Sequence, residues 1–145
     1  MAIRVIVGAM EGLRSPVATL SEMIYAEINL AGGSRYRIPS DQVERALYVV
    51  NGTIAIGNET FGPSEMVILK PGAEVVPAAD APARMVLIGG EPFPEKRYIY
   101  WNLVSSRPER IEQAKRDWRA GAFDGVPGEH EFIPLPDDPP PVRYP

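Results

Sequence analysis

The sequence predicts an antiparallel β-sandwich or barrel followed by one α-helix and an irregular, proline-rich tail. Three observations predict it. The chain has sixteen prolines and thirteen glycines, and those in its first two thirds cut it into short runs rich in Val, Ile, Leu and Tyr. Many short strands broken by turn residues mark a sandwich or barrel. The apolar period then switches from strand-like to helical after residue 105, and from Gly125 onward neither period holds.

Candidate strands are 4–7, 23–30, 35–38, 46–50, 53–56, 66–69, 74–77, 84–88 and 97–104. The N-terminal run Ala2-Ile-Arg-Val-Ile-Val7 is too short for a signal peptide, and no small-residue cleavage site follows. In 23–30 the alternation is clear: Ile24, Ala26, Ile28 and Leu30 share one face, Tyr25, Glu27 and Asn29 the other. Asn51-Gly52, set between β-branched runs, fits a type I′ turn and predicts a tight hairpin of 46–50 with 53–56. Lys70-Pro71-Gly72 is a second sharp turn. Gly89-Gly90 reads as a turn between strands; no phosphate-loop pattern surrounds it.

Ser106-Arg-Pro-Glu109 has the form of a capping box, and Pro108 suits a first helical turn. Ile111, Ala114 and Trp118 follow at helical spacing. Glu112 precedes Arg116 by four residues, and Gly121 supplies a stop. One amphipathic helix is expected over 108–120, packed on the barrel through Ile111 and Trp118. Phe132-Ile-Pro-Leu-Pro136 is expected to lie against the barrel as an extended strap, and Asp137 to Pro145 to form a polyproline tail. The whole is read as one domain over 1–145: barrel 1–104, capped helix 105–121, strap and tail 122–145.

Composition narrows the function classes. A hydrophobic fraction of 45% with 23% charged residues is that of an ordinary globular domain. The net charge of −4 argues against nucleic-acid binding, which needs a basic face. Cysteine is absent, which removes disulfides, thiolate chemistry and cysteine metal sites. No window approaches the roughly 18 apolar residues of a membrane span. A cytoplasmic protein without a membrane partner is expected.

Several stretches carry a resemblance. Arg45-Ala-Leu-Tyr-Val-Val-Asn-Gly52 and Glu65-Met-Val-Ile-Leu-Lys-Pro-Gly72 resemble the two motifs of the cupin superfamily, the double-stranded β-helix or jelly-roll barrel. Leu87-Ile-Gly-Gly-Glu91, Tyr100-Trp-Asn-Leu-Val-Ser-Ser106, Arg110-Ile-Glu-Gln-Ala-Lys-Arg-Asp-Trp118 and Phe132-Ile-Pro-Leu-Pro136 resemble more closely the pirin family, which pairs two cupin domains in one chain. The match is to the C-terminal half alone. The resemblance implies an all-β, cupin-type barrel with one C-terminal helix.

Cupins typically hold a metal with three histidines and a glutamate. Counting from Gly52 places the glutamate position on Arg45, and the two histidine positions on Ile38 and Ser40 or on Pro39 and Asp41. Counting from Gly72 places the third histidine position on Val75. A guanidinium is cationic and has no lone pair to give. No metal, no cofactor and no catalytic residue are therefore expected. In pirins, as the resemblance implies, the N-terminal half carries the metal, so quercetin dioxygenation is not expected here.

Other residues read more plainly. The single histidine, His130, sits between Glu129 and Glu131 in the strap and is expected to be a solvated surface residue. Consecutive residues on an extended chain point in opposite directions, so these three do not make a metal site. Tyr25, Tyr48, Tyr98, Tyr100 and Trp101 are expected in core or cross-strand positions. Ser105 and Ser106 have no base placed to activate them.

Arg45 admits two readings: an anion site inside the barrel, or an internal salt bridge with Glu27 or Glu44. The salt bridge is preferred, because most buried arginines have protein partners. A ligand pocket, where one exists, is expected around Arg45, Tyr36 and Val75. The first functional hypothesis is a metal-free, non-catalytic binding or assembly module, expected to form a homodimer that imitates the two-domain arrangement. The second is a metal-independent enzyme or sensor holding a small anionic molecule at Arg45. A third, a transcriptional cofactor role with a protein partner, rests on the pirin resemblance.

Overall fold

A computed structural model describes residues 1–137. These fall in two compact units, one over Met1–Pro92 and one beginning at Phe93. The first unit holds eleven strands: β1 (Ala2–Val7), β2 (Ala9–Met10), β3 (Leu13–Arg14), β4 (Met23–Leu30), β5 (Ser34–Arg35), β6 (Glu44–Asn51), β7 (Ile54–Ile56), β8 (Glu59–Phe61), β9 (Met66–Leu69), β10 (Ala78–Ala79) and β11 (Ala83–Gly90). A five-stranded sheet runs β1-β4-β11-β6-β9 and a four-stranded sheet β5-β10-β7-β8. Every pairing is antiparallel. This is the expected jelly-roll barrel.

The alternation in β4 does what the sequence predicts. Ile24, Ala26, Ile28 and Leu30 are buried, and Tyr25 is exposed. They meet Leu47 and Val49 of β6, Met85 and Leu87 of β11, and Ile54 of the facing sheet in one apolar core. Ile24, Ile28, Ile38, Leu47, Ile54, Met85, Leu87, Val49 and Pro77 are fully buried. The interior is thus filled by side chains, as a protein core requires.

Three expectations in this unit need correction. The tight hairpin at Asn51-Gly52 does not form. β6 pairs with β9 and β11, whereas β7 pairs with β8 and β10 in the other sheet. Gly52, at φ +77°, turns the chain from one sheet to the other, and Asn51 is not left-handed. Asn-Gly marks a sharp reversal, but each flanking strand has a buried face satisfied by other partners, so a sheet corner wins.

The strand expected at 74–77 is reduced to a bridge between Val75 and Ile38, and that at 35–38 to β5. Tyr36 N donates to Pro77 O and Ile38 N to Val75 O, at 3.0 and 2.9 Å. Pro77 and Pro39 have no N–H to donate, which leaves the ladder incomplete. Gly89 and Gly90 are not a turn. They lie inside β11, Gly89 opposite Arg45 and Ile24. The β2–β3 hairpin and β8 are additions to the expected strands; two or three residues are too few to show a period.

The second unit contains β12 (Tyr98–Tyr100), β13 (Leu103–Ser105) and α1 (Pro108–Arg119). The single strand expected at 97–104 is a hairpin instead, reversed at Trp101 with φ +52°. The barrel unit accordingly ends at Pro92, before this hairpin. Ser106 is not the cap. Arg107 is the N-cap and makes no side-chain cap bond; its own amide donates to Ser105 Oγ at 3.1 Å. Glu112 pairs with Lys115 at 3.1 Å rather than with Arg116, which donates to Gln113 Oε1. Gly121 ends the helix at φ +65°, as expected.

Trp118 packs within this unit: against Trp101 edge-on at 5.1 Å, and against Phe123 and Phe132 at 5.6 and 6.1 Å. The strap is held there too. Trp118 Nε1 donates to Ile133 O at 2.8 Å, and the Tyr100 hydroxyl to Pro136 O at 2.6 Å. Trp118 thus meets Trp101, which lies within the expected barrel range of 1–104, and the strap residue Phe132 in one aromatic cluster. From residue 138 on, the expected tail lies outside the described residues. Among the described residues, no helix is long and apolar enough to cross a membrane.

Candidate functional site

The inward set of β6 is Arg45, Leu47 and Val49, on alternate residues of the strand. That parity carries the Arg45 side chain inward, where it is 2% exposed. Its neighbour across the ladder is Gly89. A Cβ added at Gly89 would stand 2.4 Å from Glu44 O and 3.3 Å from Arg45 Cγ. Glycine is required there by the close approach of the β6 main chain at Glu44 O.

The guanidinium meets main chain, not acid. Nη1 donates to Pro39 O at 2.8 Å, and Nη2 to Ala73 O at 3.0 Å and Lys70 O at 3.3 Å. The expected salt bridge to Glu27 or Glu44 is absent among the described residues. Glu27 is taken by Arg84 on the outward face, at 2.7 Å. Glu44 is exposed and follows the opposite parity to Arg45. Arg45 Nε is buried with no hydrogen-bond partner. Carbonyl dipoles in a poorly solvated site stabilise a cation, and hydrogen bonds to a charged group contribute about 1.5–3 kcal/mol each.

The three carbonyls come from the segments that flank the remaining motif positions. Pro39 follows Ile38, and Lys70 and Ala73 precede Val75. Ile38 and Val75 are both buried and bridge each other directly. The guanidinium thus ties together the loop at Pro39 and the turn from Lys70 to Ala73. The donor set at these positions, Arg45, Ile38, Ser40 and Val75, does not fit a divalent metal: it offers no imidazole and no carboxylate. The shifted alternative, Pro39 and Asp41, adds one carboxylate on an exposed loop. Among the described residues, no group of three or more His, Cys, Asp or Glu side chains is placed to hold a metal.

Of the three residues expected around a pocket, the structure brings Arg45 and Val75 to the same end of the barrel and buries both. Tyr36 is also buried but reaches outward, its hydroxyl donating to Glu11 Oε1 at 3.2 Å. Beside it an open groove of about 610 Å³ is lined by Glu11, Tyr36, Ile38, Pro39, Asp41 and Glu74 among others. Burial, the Glu11 charge and that hydrogen bond push the Tyr36 hydroxyl from 10.0 up to about 12. A raised folded-state value gives stability that is present below pH 10 and lost as pH rises through 12. Over that window the wild type is expected to lose more unfolding free energy than Tyr36→Phe. Denaturant titrations of both chains at pH 9 to about 12 check this; parallel curves contradict it.

His130 is exposed, as expected, and its amide donates to Glu129 Oε1 at 2.8 Å. The contacts that the sequence does not suggest are the carbonyls of Pro39, Lys70 and Ala73. Main-chain acceptors carry no residue-type signal. Gly89 does carry one, since a glycine within a strand marks close backbone approach.

Residues 25–124 match the model of the pirin C-terminal cupin domain. The chain belongs to the pirin family. This pirin-family chain is 38% identical over 135 residues to a pirin-like protein of Caulobacter vibrioides, covering 92% of this chain and 46% of that protein. To a pirin-like protein of Solanum lycopersicum it is 30% identical over 127 residues, covering 83% and 44%. A crystal structure of quercetin 2,3-dioxygenase from Acinetobacter baumannii superposes with a TM-score of 0.82 at 23% identity, over 97% of this chain and 49% of that one. At that identity the likeness shows the fold. The chain spans about half the length of the curated relatives it matches.

Proposed function

We propose that this chain is a metal-free, non-catalytic cupin domain whose role is assembly: it pairs with a second cupin domain, in the simplest case another copy of itself. The observation that supports the metal-free part of this reading is Arg45, which falls at the counted glutamate position and whose guanidinium is held by three carbonyls. The dioxygenase activity named for the Acinetobacter baumannii structure is not proposed here, because the donor set lacks histidine and carboxylate. The small-anion reading loses support: both Nη groups are engaged by carbonyls and the core beside them is filled. Absent cysteine and net charge support a cytoplasmic location.

The pairing surface is the outward face of the five-stranded sheet. The register aligns Ile68, Ala46, Ile88 and Tyr25 in one cross-strand row, and Met66, Tyr48 and Val86 in the next. Ile68 is 73% exposed and Met66 51%. Ala46, being small, leaves a groove of about 410 Å³ between Ile68 and Ile88. Charged side chains border the band: Lys70 and Glu44 at one end, the Glu27–Arg84 pair at the other. An apolar centre with a polar rim is the anatomy of an interface.

Five strands about 4.8 Å apart and up to eight residues long, at about 3.4 Å each, give a face of roughly 500–650 Å². With its rim this is comparable to the ~800 Å² each partner contributes to a standard interface. A twofold axis in that plane sets the Ile68 of each copy near the groove of the other.

Sedimentation velocity at about 50 μM tests the reading. The wild type is expected as a dimer and Ile68→Lys as a folded monomer, since that side chain is exposed. A monomeric wild type, in the absence of any other cupin domain, refutes self-pairing. A dimer unaffected by Ile68→Lys refutes this face.

A further inference from the structure

The C-terminal unit carries a second concave site, independent of Arg45 and of the sheet face. A cleft of about 320 Å³ lies beside the end of α1, its apolar lining made of Trp118, Phe123, Val126, Phe132 and Ile133. Every charged group in the lining is a carboxylate: Asp124, Glu129 and Glu131. Phe123, Val126, Phe132 and Ile133 are all exposed, which is more apolar surface than scattered single residues account for. A second cleft of about 360 Å³, lined by Arg119 and the strap from Pro134 to Asp137, also has Phe132 in its wall. Phe132 stands in the wall of both clefts, which adjoin there.

We infer that these clefts bind an extended segment of a protein partner in which an arginine or lysine is flanked by proline or aliphatic residues. Charge selects the cation. Three carboxylates beside an apolar floor, with no basic residue in the first cleft, attract a positive side chain and repel a negative one. Glu129 is held ionised there by the amides of Glu131 and His130, which both donate to its Oε1 and lower its pKa.

The aromatic floor selects what surrounds the cation. Exposed rings stack on a guanidinium and on proline, and aromatic-lined grooves are the usual seat of proline-rich extended chains. A compact organic cation fits less well. The Trp118 ring is already met edge-on by Trp101 and stacked by Phe132, so no closed cage of free aromatic faces remains. Two adjoining clefts, the second along the strap from Pro134 to Asp137, suit an extended chain rather than a single small molecule, with the cation in the first cleft, away from Arg119.

The test is a titration of the ¹⁵N-labelled full chain, followed at the Trp118 indole N–H, whose nitrogen donates to Ile133 O. The probe is the peptide acetyl-Pro-Pro-Val-Arg-Pro-Pro-amide, with the Glu-for-Arg peptide and tetramethylammonium as controls. Saturable shifts are expected with the Arg peptide alone. Binding is expected to weaken by about tenfold in Phe123→Ala and by at least about tenfold in the double variant Asp124→Lys/Glu131→Lys. The Asp124 and Glu131 side chains are exposed, so the thermal midpoint of the double variant should match the wild type. The inference is overturned by no binding at millimolar peptide, by equal binding of the Arg and Glu peptides, by tetramethylammonium binding as tightly as the peptide, or by full binding to the double variant.

Discussion

Replacing Arg45 with methionine is expected to lower the unfolding free energy by about 3 kcal/mol and the thermal midpoint by about 10 °C. Methionine keeps most of the volume and removes the charge. Three carbonyls, of Pro39, Lys70 and Ala73, then lose their donor at once. Each lost charged hydrogen bond costs about 1.5–3 kcal/mol, offset by relief of the desolvation of the guanidinium itself and of its unpartnered Nε. Arg45→Lys is expected to cost about 2 kcal/mol, because an ammonium is a point donor without the planar fork that spans carbonyls on two loops. Arg45→Glu restores the residue type of a metal-bearing cupin, and is expected to be the most damaging of the three. Its carboxylate faces carbonyl oxygens, and Ile38 and Val75 cannot help hold a metal that would neutralise it. Denaturant melts of the three variants rank them; a Met variant as stable as the wild type removes the structural role assigned to the guanidinium.

Gly52→Ala is expected to cost about 3 kcal/mol, for two separable reasons. The residue sits at φ +77°, a conformation that costs an L-residue roughly 1–2 kcal/mol. The new Cβ would also stand 2.6 Å from Pro82 O and 2.8 Å from Ala83 Cα, both main chain at the start of β11. Neither can move without shifting the strand at the centre of the five-stranded sheet. Gly57→Ala isolates the first effect: its φ is +61° and nothing lies within 4 Å of the added carbon. A loss of about 1 kcal/mol is expected there. Equal losses at the two positions would show that the close approach at the sheet corner is wrong.

That corner also shows what is legible in the sequence and what is not. The inward set of β4 can be read from alternation alone, because one face is buried and period two is a property of the strand itself. The reversal at Asn51-Gly52 is readable, but its partners are not. Whether a reversed chain pairs with its neighbour or crosses to a second sheet depends on which distant strands cover each face. The same limit applies to residues 97–104, where a left-handed Trp101 splits an apparently continuous strand.

At the candidate site, the replacement of the glutamate position by Arg45 is readable from motif counting. Its partners are not, since carbonyls are common to every residue and the expected acids lie on the other face or on another strand. The apolar outer band is hidden for a different reason. Met66-Val-Ile-Leu69 is apolar on both faces, so the run gives no period by which to assign an outside.

The proposal that the Arg45 guanidinium stands where a cupin metal centre would be is tested most directly by metal content. Protein purified without an affinity tag and dialysed against iron, manganese, zinc, copper and nickel in turn is analysed by mass spectrometry of the bound metal. The expected result is far less than one equivalent of any of them, with no rise in thermal midpoint. One full equivalent of a tightly held metal, lost on Arg45→Met, would contradict it.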